Sequence, residues 1–130
     1  MSAETPDDVH RLFRQRFRTG DLDQLLSLYE RDALFIPQPG HTVIGHAAIR
    51  EALAGFLALG GRFEMTPEPP LVAGDVAVLS ASWSLSGSGQ DGVPFELASR
   101  TSDVVRRHAD GTWLLVIDNP YGGAGAPTSR

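Results

Sequence analysis

Apolar residues in the first 60 positions recur at the three- and four-residue spacing of helices. The segment Thr5-Pro6-Asp7-Asp8 supplies an N-cap, a first-turn proline and acidic side chains, so we expect a helix from there to Gly20. A second helix is predicted from Asp21, and a third opens at Gly45-His46 and stops at Gly60-Gly61. Their apolar faces comprise Val9, Leu12, Phe13 and Phe17; Leu22, Leu25, Leu26 and Tyr29; and Ile49, Leu53, Phe56 and Leu57.

Strand patterns dominate the rest of the chain. Residues 33–37 form a short predicted strand between the second and third helices, followed by a loop over residues 38–41. From Arg62 onward the pattern alternates, most clearly over residues 77–86, and Asp110-Gly111 is a hairpin signal. Helices followed by a four-stranded meander predict an α+β fold, with three helices on one face of a curved, mainly antiparallel sheet. We expect one domain over residues 1–130, with a loose tail over 123–130.

Composition narrows the functional classes. The formal charge of −5 argues against nucleic-acid binding, and no apolar run is long enough to cross a membrane. The chain has no cysteine, which excludes a thiolate metal site and fits a cytoplasmic protein. All eleven basic residues are arginine, so a lysine base or Schiff base is excluded. No histidine pair has metal-ligand spacing, and we expect neither a metal nor a cofactor.

Asp118 is the first candidate for chemistry because it ends the apolar strand 113–117. It is either a pocket carboxylate acting as general acid or base, with a pKa raised by burial, or a strand-end residue that caps the turn at Asn119-Pro120. Arg100 is the second candidate, because it stands alone among small residues and could bind a ligand oxygen or pair with Asp118.

The facing of these residues depends on the last hairpin. A three-residue loop over 109–111 pairs His108 with Thr112 and places Arg100, Ser102 and Asp118 on one face. A two- or four-residue loop instead groups Thr101, Asp103 and Asp118. We favour the first arrangement, in which Asp118 faces the interior and is held by Arg100, Ser102 or both.

Histidines and aromatic residues supply further candidates. His46, at a helix N-terminus, is a candidate proton donor or acceptor. His10 and His108 are expected to face solvent. Aromatic residues mostly belong to the core, but some must line any cavity. The predicted ligand contacts are Phe35, Phe56, Trp83, Ser102, Asn119 and Tyr121.

Several segments together resemble the nuclear transport factor 2-like (NTF2-like) family, which includes ketosteroid isomerase-like and SnoaL-like domains. They are Gly45-His46-Ala47-Ala48-Ile49-Arg50, Gly74-Asp75-Val76-Ala77, the hairpin from Arg100 to Trp113, and Asp118-Asn119-Pro120-Tyr121-Gly122, within a match over residues 6–122.

The resemblance implies a cone-shaped sheet with a deep apolar pocket for a small hydrophobic molecule, and a homodimer formed through the sheet. It leaves two functions open. One is a cofactor-independent isomerase, cyclase or hydrolase that uses acid–base chemistry. The other is a non-catalytic binding or scaffold domain. Neither Tyr29 nor Tyr121 is at an obvious match to the tyrosine of ketosteroid isomerase.

Overall fold

The structure is a computed structural model that describes residues 2–89 and 91–123. The loose tail predicted for residues 123–130 therefore lies, beyond Gly123, outside the described residues. Three helices pack on one large, curved, mixed sheet, which confirms the predicted α+β class.

The first two helices begin where their caps predict. Helix α1 spans Pro6–Thr19, and the Asp8 carboxylate accepts hydrogen bonds from the backbone N–H groups of Glu4 and Thr5. Gly20 ends it in the left-handed conformation. Helix α2 spans Leu22–Leu26, and its N-cap Asp21 accepts from the backbone of Gln24 at 3.1 Å.

Strand β1, Tyr29–Gln38, is longer than the short strand predicted, because it begins at Tyr29. Tyr29 was expected on the apolar face of α2, but α2 is only one turn long and the chain extends directly into the sheet. The predicted loop over residues 38–41 is the tight turn of a hairpin with β2, His41–Ile44. Helix α3, His46–Ala58, follows and buries Ile49 and Leu53.

Five further strands complete the sheet: β3 Arg62–Pro67, β4 Leu71–Ala73, β5 Val76–Ser88, β6 Pro94–Arg107 and β7 Trp113–Asp118. The strand order is β2-β1-β7-β6-β5-β3, with β4 paired to β5. All pairs are antiparallel except β1 with β7, which run parallel. In this parallel pair Tyr29 lies beside Leu115, and Phe35 lies beside Asp118 at the end of β7.

The core lies between the helices and the inner face of the sheet. As the alternation in β5 predicts, Leu79, Ala81, Trp83 and Leu85 are buried there. Phe13, Phe17 and Phe63 form an aromatic cluster under α1, with ring centroids 4.8 to 6.0 Å apart. These rings pack the C-terminal half of α1 against β3.

Candidate active site

A cavity of about 60 Å³ opens inside this core, and we call it the inner cavity. Most of its wall is apolar, and its polar groups gather on one side. The apolar lining comprises Phe13, Phe17, Phe35, Leu53, Phe56, Phe63, Met65, Trp83, Leu85, Leu115 and Pro120; the polar lining comprises His10, Thr101, Asp103 and Asp118.

The polar side is a chain of buried hydrogen bonds contributed by α1, β1, β6 and β7. His10 Nε2 lies 2.7 Å from Asp103 Oδ2, and both side chains are about 5% exposed or less. The Tyr29 hydroxyl donates a short hydrogen bond to Asp118 Oδ2. The carboxyl groups of Asp103 and Asp118 both line the cavity and lie near enough to interact, so the two pairs are adjacent.

Asp103 has the partners of an ionised carboxylate. Its Oδ1 accepts from the backbone N–H of Asn119 at 2.9 Å and lies 2.6 Å from the Thr101 hydroxyl, while Oδ2 faces His10. These three contacts satisfy the hydrogen-bonding capacity of the buried carboxyl group. They also fix the tautomer of His10, because Nε2 must carry the hydrogen that Asp103 accepts. The lone pair of neutral His10 is then on Nδ1, which has no hydrogen-bond partner among the described residues.

Asp118 has the opposite environment. Burial in an apolar wall, followed by the nearby charge and hydrogen bond of Asp103, raises the pKa of Asp118 well above its ordinary value. Burial also raises the pKa of Tyr29, and the adjacent Asp118 adds to the effect. Asp118 therefore holds its proton to a higher pH than an ordinary aspartate, next to a carboxyl group that has three hydrogen-bond donors around it.

A β-bulge aims Asp118 into the cavity. The last hairpin has the favoured loop, with the His108 N–H bonded to the Thr112 carbonyl at 2.8 Å. Val105 pairs with Leu115, but Val104 pairs with Ile117, so Val116 is an extra residue in β7. Both Leu115 and Asp118 can therefore face inward, although three positions separate them.

The expectation that Arg100 or Ser102 holds Asp118 is wrong, because the bulge reverses the facing of the strand end. Thr101, Asp103 and Asp118 share the inner face instead, and the grouping first linked to another loop length is the one observed. Arg100 lies on the outer face, where it forms a two-point ion pair with Glu68 at 2.5 and 2.7 Å. Ser102 is half-buried, and its N–H bonds the Asn119 carbonyl.

The remaining candidates divide between the cavity and its surroundings. Phe35, Phe56 and Trp83 line the inner cavity. His46 does not, because its Nε2–H donates to the backbone carbonyl of Tyr29 at 2.9 Å. Asn119 acts on the site through its backbone N–H.

Tyr121 also lies outside the inner cavity. It packs edge-on against Trp83, with ring centroids 5.5 Å apart, and lines a second, outer depression.

The sequence reasoning assigned His10 and Tyr29 to other places. His10 was expected in solvent, yet it is 4% exposed. The sequence did contain a signal that His10 faces inward, because His10, Phe13 and Phe17 are three and four positions apart on α1, and all three line the cavity. Tyr29 carried no such signal, because its role arises from the pairing of β1 with β7. Within the described residues, no cluster of three or more His, Asp or Glu side chains could hold a metal ion.

Comparison with known proteins agrees with this fold. The model of the SnoaL-like domain matches residues 9–116. The chain belongs to the SnoaL-like domain family. No curated protein matches this SnoaL-like chain at a significant level. Within the described residues, no helix has the length and apolar character needed to span a bilayer.

Solved structures with the same fold have low sequence identity to this SnoaL-like domain. One is a ketosteroid isomerase-like protein from Erwinia carotovora atroseptica, with 16% identity, a TM-score of 0.76, and coverage of 86% of this chain and 88% of that one. Another is a candidate dehydratase of the NTF2-like family from Streptomyces avermitilis, with 20% identity, a TM-score of 0.69, and coverage of 85% and 89%.

A third is a candidate calcium/calmodulin-dependent protein kinase type II association domain from Thiobacillus denitrificans. Its identity is 20%, its TM-score is 0.74, and the match covers 92% of this chain and 95% of that one.

Proposed function

We propose that this protein is a cofactor-independent acid–base enzyme that transfers protons on a small, uncharged, largely apolar metabolite bearing an oxygen group. The observation that carries the proposal is the contrast between two adjacent carboxyl groups, Asp103 with three donors and Asp118 with a raised pKa, in one apolar cavity. Two titratable groups held in opposite protonation states are the usual basis for assigning an acid and a base.

Asp118 is the proposed acid. Tyr29 donates to Oδ2 of Asp118, so the proton of Asp118 is on Oδ1, where it faces Asp103 until a substrate oxygen replaces that contact. His10 is the proposed base, with Nδ1 as the accepting atom. Asp103 is a positioning residue, because it fixes the tautomer of His10 and stabilises the imidazolium that forms.

The proton balance allows two related reactions. In an isomerisation, His10 Nδ1 takes the C–H proton next to a carbonyl group while Asp118 gives its proton to the carbonyl oxygen. The enol then takes the proton of His10 at a different carbon or on the opposite face, while its O–H proton returns to Asp118, so the carbonyl re-forms and both residues are restored. In a dehydration, the same C–H proton goes to His10, the C–O bond breaks, and the proton of Asp118 leaves with the hydroxyl group as water.

The cavity lining supports an uncharged substrate. Among the described residues, the lining includes no arginine, so an anion would face Asp103 without a guanidinium partner. The apolar rings of Phe35, Phe56 and Trp83 favour a hydrocarbon body. Such a reaction needs no redox or electron-sink group, in line with the prediction of no cofactor.

Proton exchange in D₂O tests the enzyme proposal. We expect the protein to accelerate deuterium incorporation next to the carbonyl of small ketones, or water loss from β-hydroxy ketones, as followed by NMR. His10→Ala and Asp118→Asn should each lower the rate by ~10²–10⁴-fold, the usual contribution of a general acid or base. His108→Gln, at an exposed site, is the matched control. Equal rates in all variants, or no reaction with either compound class, would contradict the proposal.

One observation favours the alternative, a binding domain without turnover. Every side-chain nitrogen or oxygen atom that is fully buried in the described residues has a hydrogen-bond partner, so no such atom requires a ligand. On this alternative, Asp118→Asn changes ligand affinity and stability, and none of the proteins catalyses exchange.

We also infer a homodimer formed through the outer face of the sheet. This face carries short side chains, including Ser80, Ser82, Ser84 and Ala98, which allow a second sheet to approach closely. Exposed apolar residues at its edge, Leu71 and Val72, add surface that a partner subunit would cover.

A further inference from the structure

The inner cavity is small for a complete metabolite. Its volume of about 60 Å³ is less than half of the roughly 150 Å³ engineered cavity that admits benzene. It therefore accepts a group of a few heavy atoms, such as an acetyl group, against the polar side. The rest of any larger ligand must lie elsewhere.

A second depression lies on the other side of one cavity wall, and we call it the outer groove. Its volume is about 620 Å³, and it runs between the β1–β2 hairpin and α3. Phe56 lines both spaces. Beside it, Trp83 of the inner cavity contacts Tyr121 of the outer groove, with ring centroids 5.5 Å apart. Phe56 and this aromatic pair therefore form the partition.

We propose that the inner cavity and the outer groove are two halves of one binding site, and that Phe56 between them determines specificity. The ligand is an uncharged molecule with a small oxygen-bearing head for the inner cavity and an apolar body of several carbons for the outer groove. The role given to the head group depends on the proposed function.

The groove lining fits such a body. Val43, Ala48, Ala52, Leu59 and Leu97 give it an apolar floor. Polar groups at its edges include Gln38 and His41, which can hydrogen-bond a polar end of the ligand. The part of the groove lining that the structure describes contains the carboxylate of Glu51 and no arginine, so a negatively charged body is disfavoured there as it is in the inner cavity.

Straight-chain methyl ketones from 2-butanone to 2-decanone test the proposal, because the head stays constant while the body grows. Binding is measured by calorimetry or ligand-observed NMR. Once the chain extends past Phe56, we expect the affinity to rise by ~fourfold per methylene, the value for burying one CH₂ group. Carboxylates of equal length should bind at least tenfold more weakly.

Variants on α3 test whether the added methylenes bind in the outer groove. A Cβ built on Gly55, an exposed residue of α3 that lines the groove, meets nothing within 4 Å, so the side chain of Gly55→Trp can occupy the groove. This variant should remove the gain in affinity with chain length. Ala47→Trp is the matched control, because Ala47 is exposed on α3 outside the groove lining. Phe56→Leu should improve binding of branched 3,3-dimethyl-2-butanone relative to 2-butanone, and it keeps an apolar side chain in the wall.

The outcomes separate this proposal from the proposed function. An affinity independent of chain length in the wild type, or an unchanged length dependence in Gly55→Trp, would overturn the two-part site. If 2-butanone binds and exchanges protons but chain length has no effect, only the two-part site is wrong. If chain length matters and Gly55→Trp removes the effect without any proton exchange, the site stands and the enzyme proposal falls.

Discussion

Asp118 shows how burial changes the proton affinity of aspartate, a residue type that is usually found at the protein surface. Its ordinary pKa is about 3.8, but burial raises the pKa well above that value in the folded chain. The folded state therefore binds this proton more tightly than the unfolded state does. The resulting contribution to stability is fully present below about pH 3.8 and is lost as the pH rises through the raised pKa.

Asp118→Asn should expose this linkage, because asparagine keeps the shape and never ionises. We expect the wild type to lose stability relative to the variant as the pH rises above about 4, as measured by urea unfolding at several pH values. Asp32→Asn, at an exposed site, is the control and should show little such trend. A difference between wild type and Asp118→Asn that does not change with pH would mean that Asp118 is not buried as a neutral acid.

In the proposed mechanism Tyr29 is a second residue to test individually, because it positions Asp118. Tyr29→Phe removes the donor to Asp118 Oδ2 and should cost ~1–3 kcal/mol, because a buried acceptor loses its partner. The Tyr29 hydrogen bond lowers the pKa of Asp118, so its removal should also move the upper limit of the pH–rate profile to higher pH. Tyr121→Phe is the control, with a change within about 0.5 kcal/mol. Equal losses in both variants would argue against this role.

At the scale of secondary-structure elements, the sequence predicted the regular features of the fold but not the irregular ones. The caps at Thr5 and Asp21 and the alternation in β5 predicted α1, α2 and the buried face of the sheet. The bulge at Val116 left no such mark, since the apolar run 113–117 looks the same with or without it. One extra residue reversed the facing of Asp118 and replaced Arg100 by Asp103 as its neighbour.

Alanine substitutions at Gly55 and Gly61 should change the stability of the protein in opposite directions. Gly55 lies inside α3 with open space around it, so Gly55→Ala should stabilise the protein by ~0.5–1 kcal/mol through helix propensity. A Cβ on Gly61 would lie 2.9 Å from the Ser86 carbonyl oxygen, so Gly61→Ala should destabilise it. Urea unfolding measures the stability of both variants. Changes of the same sign would contradict either the open space around Gly55 or the close contact at Gly61.

At the scale of the whole molecule, the proposed dimer is the main expectation. Light scattering at tens of micromolar should give twice the chain mass of 14.0 kDa. Ser84→Arg places a bulky charge on the outer face of β5, opposite Ala98, and should shift the protein toward monomer. Thr42→Arg, exposed on β2, should leave the mass unchanged. A monomer mass for the wild type would exclude this assembly.

The polar chain of the site also ties the site to the order in which the protein folds. His10 meets Asp103 across 93 residues of sequence, and Tyr29 meets Asp118 across 89. Contacts of such long range are disfavoured in early, locally structured ensembles because loop closure costs entropy. The contacts of His10 with Asp103 and of Tyr29 with Asp118 therefore form only when the first and last elements come together. In a stopped-flow experiment, the proton uptake by Asp118 would then report the final docking of the chain ends.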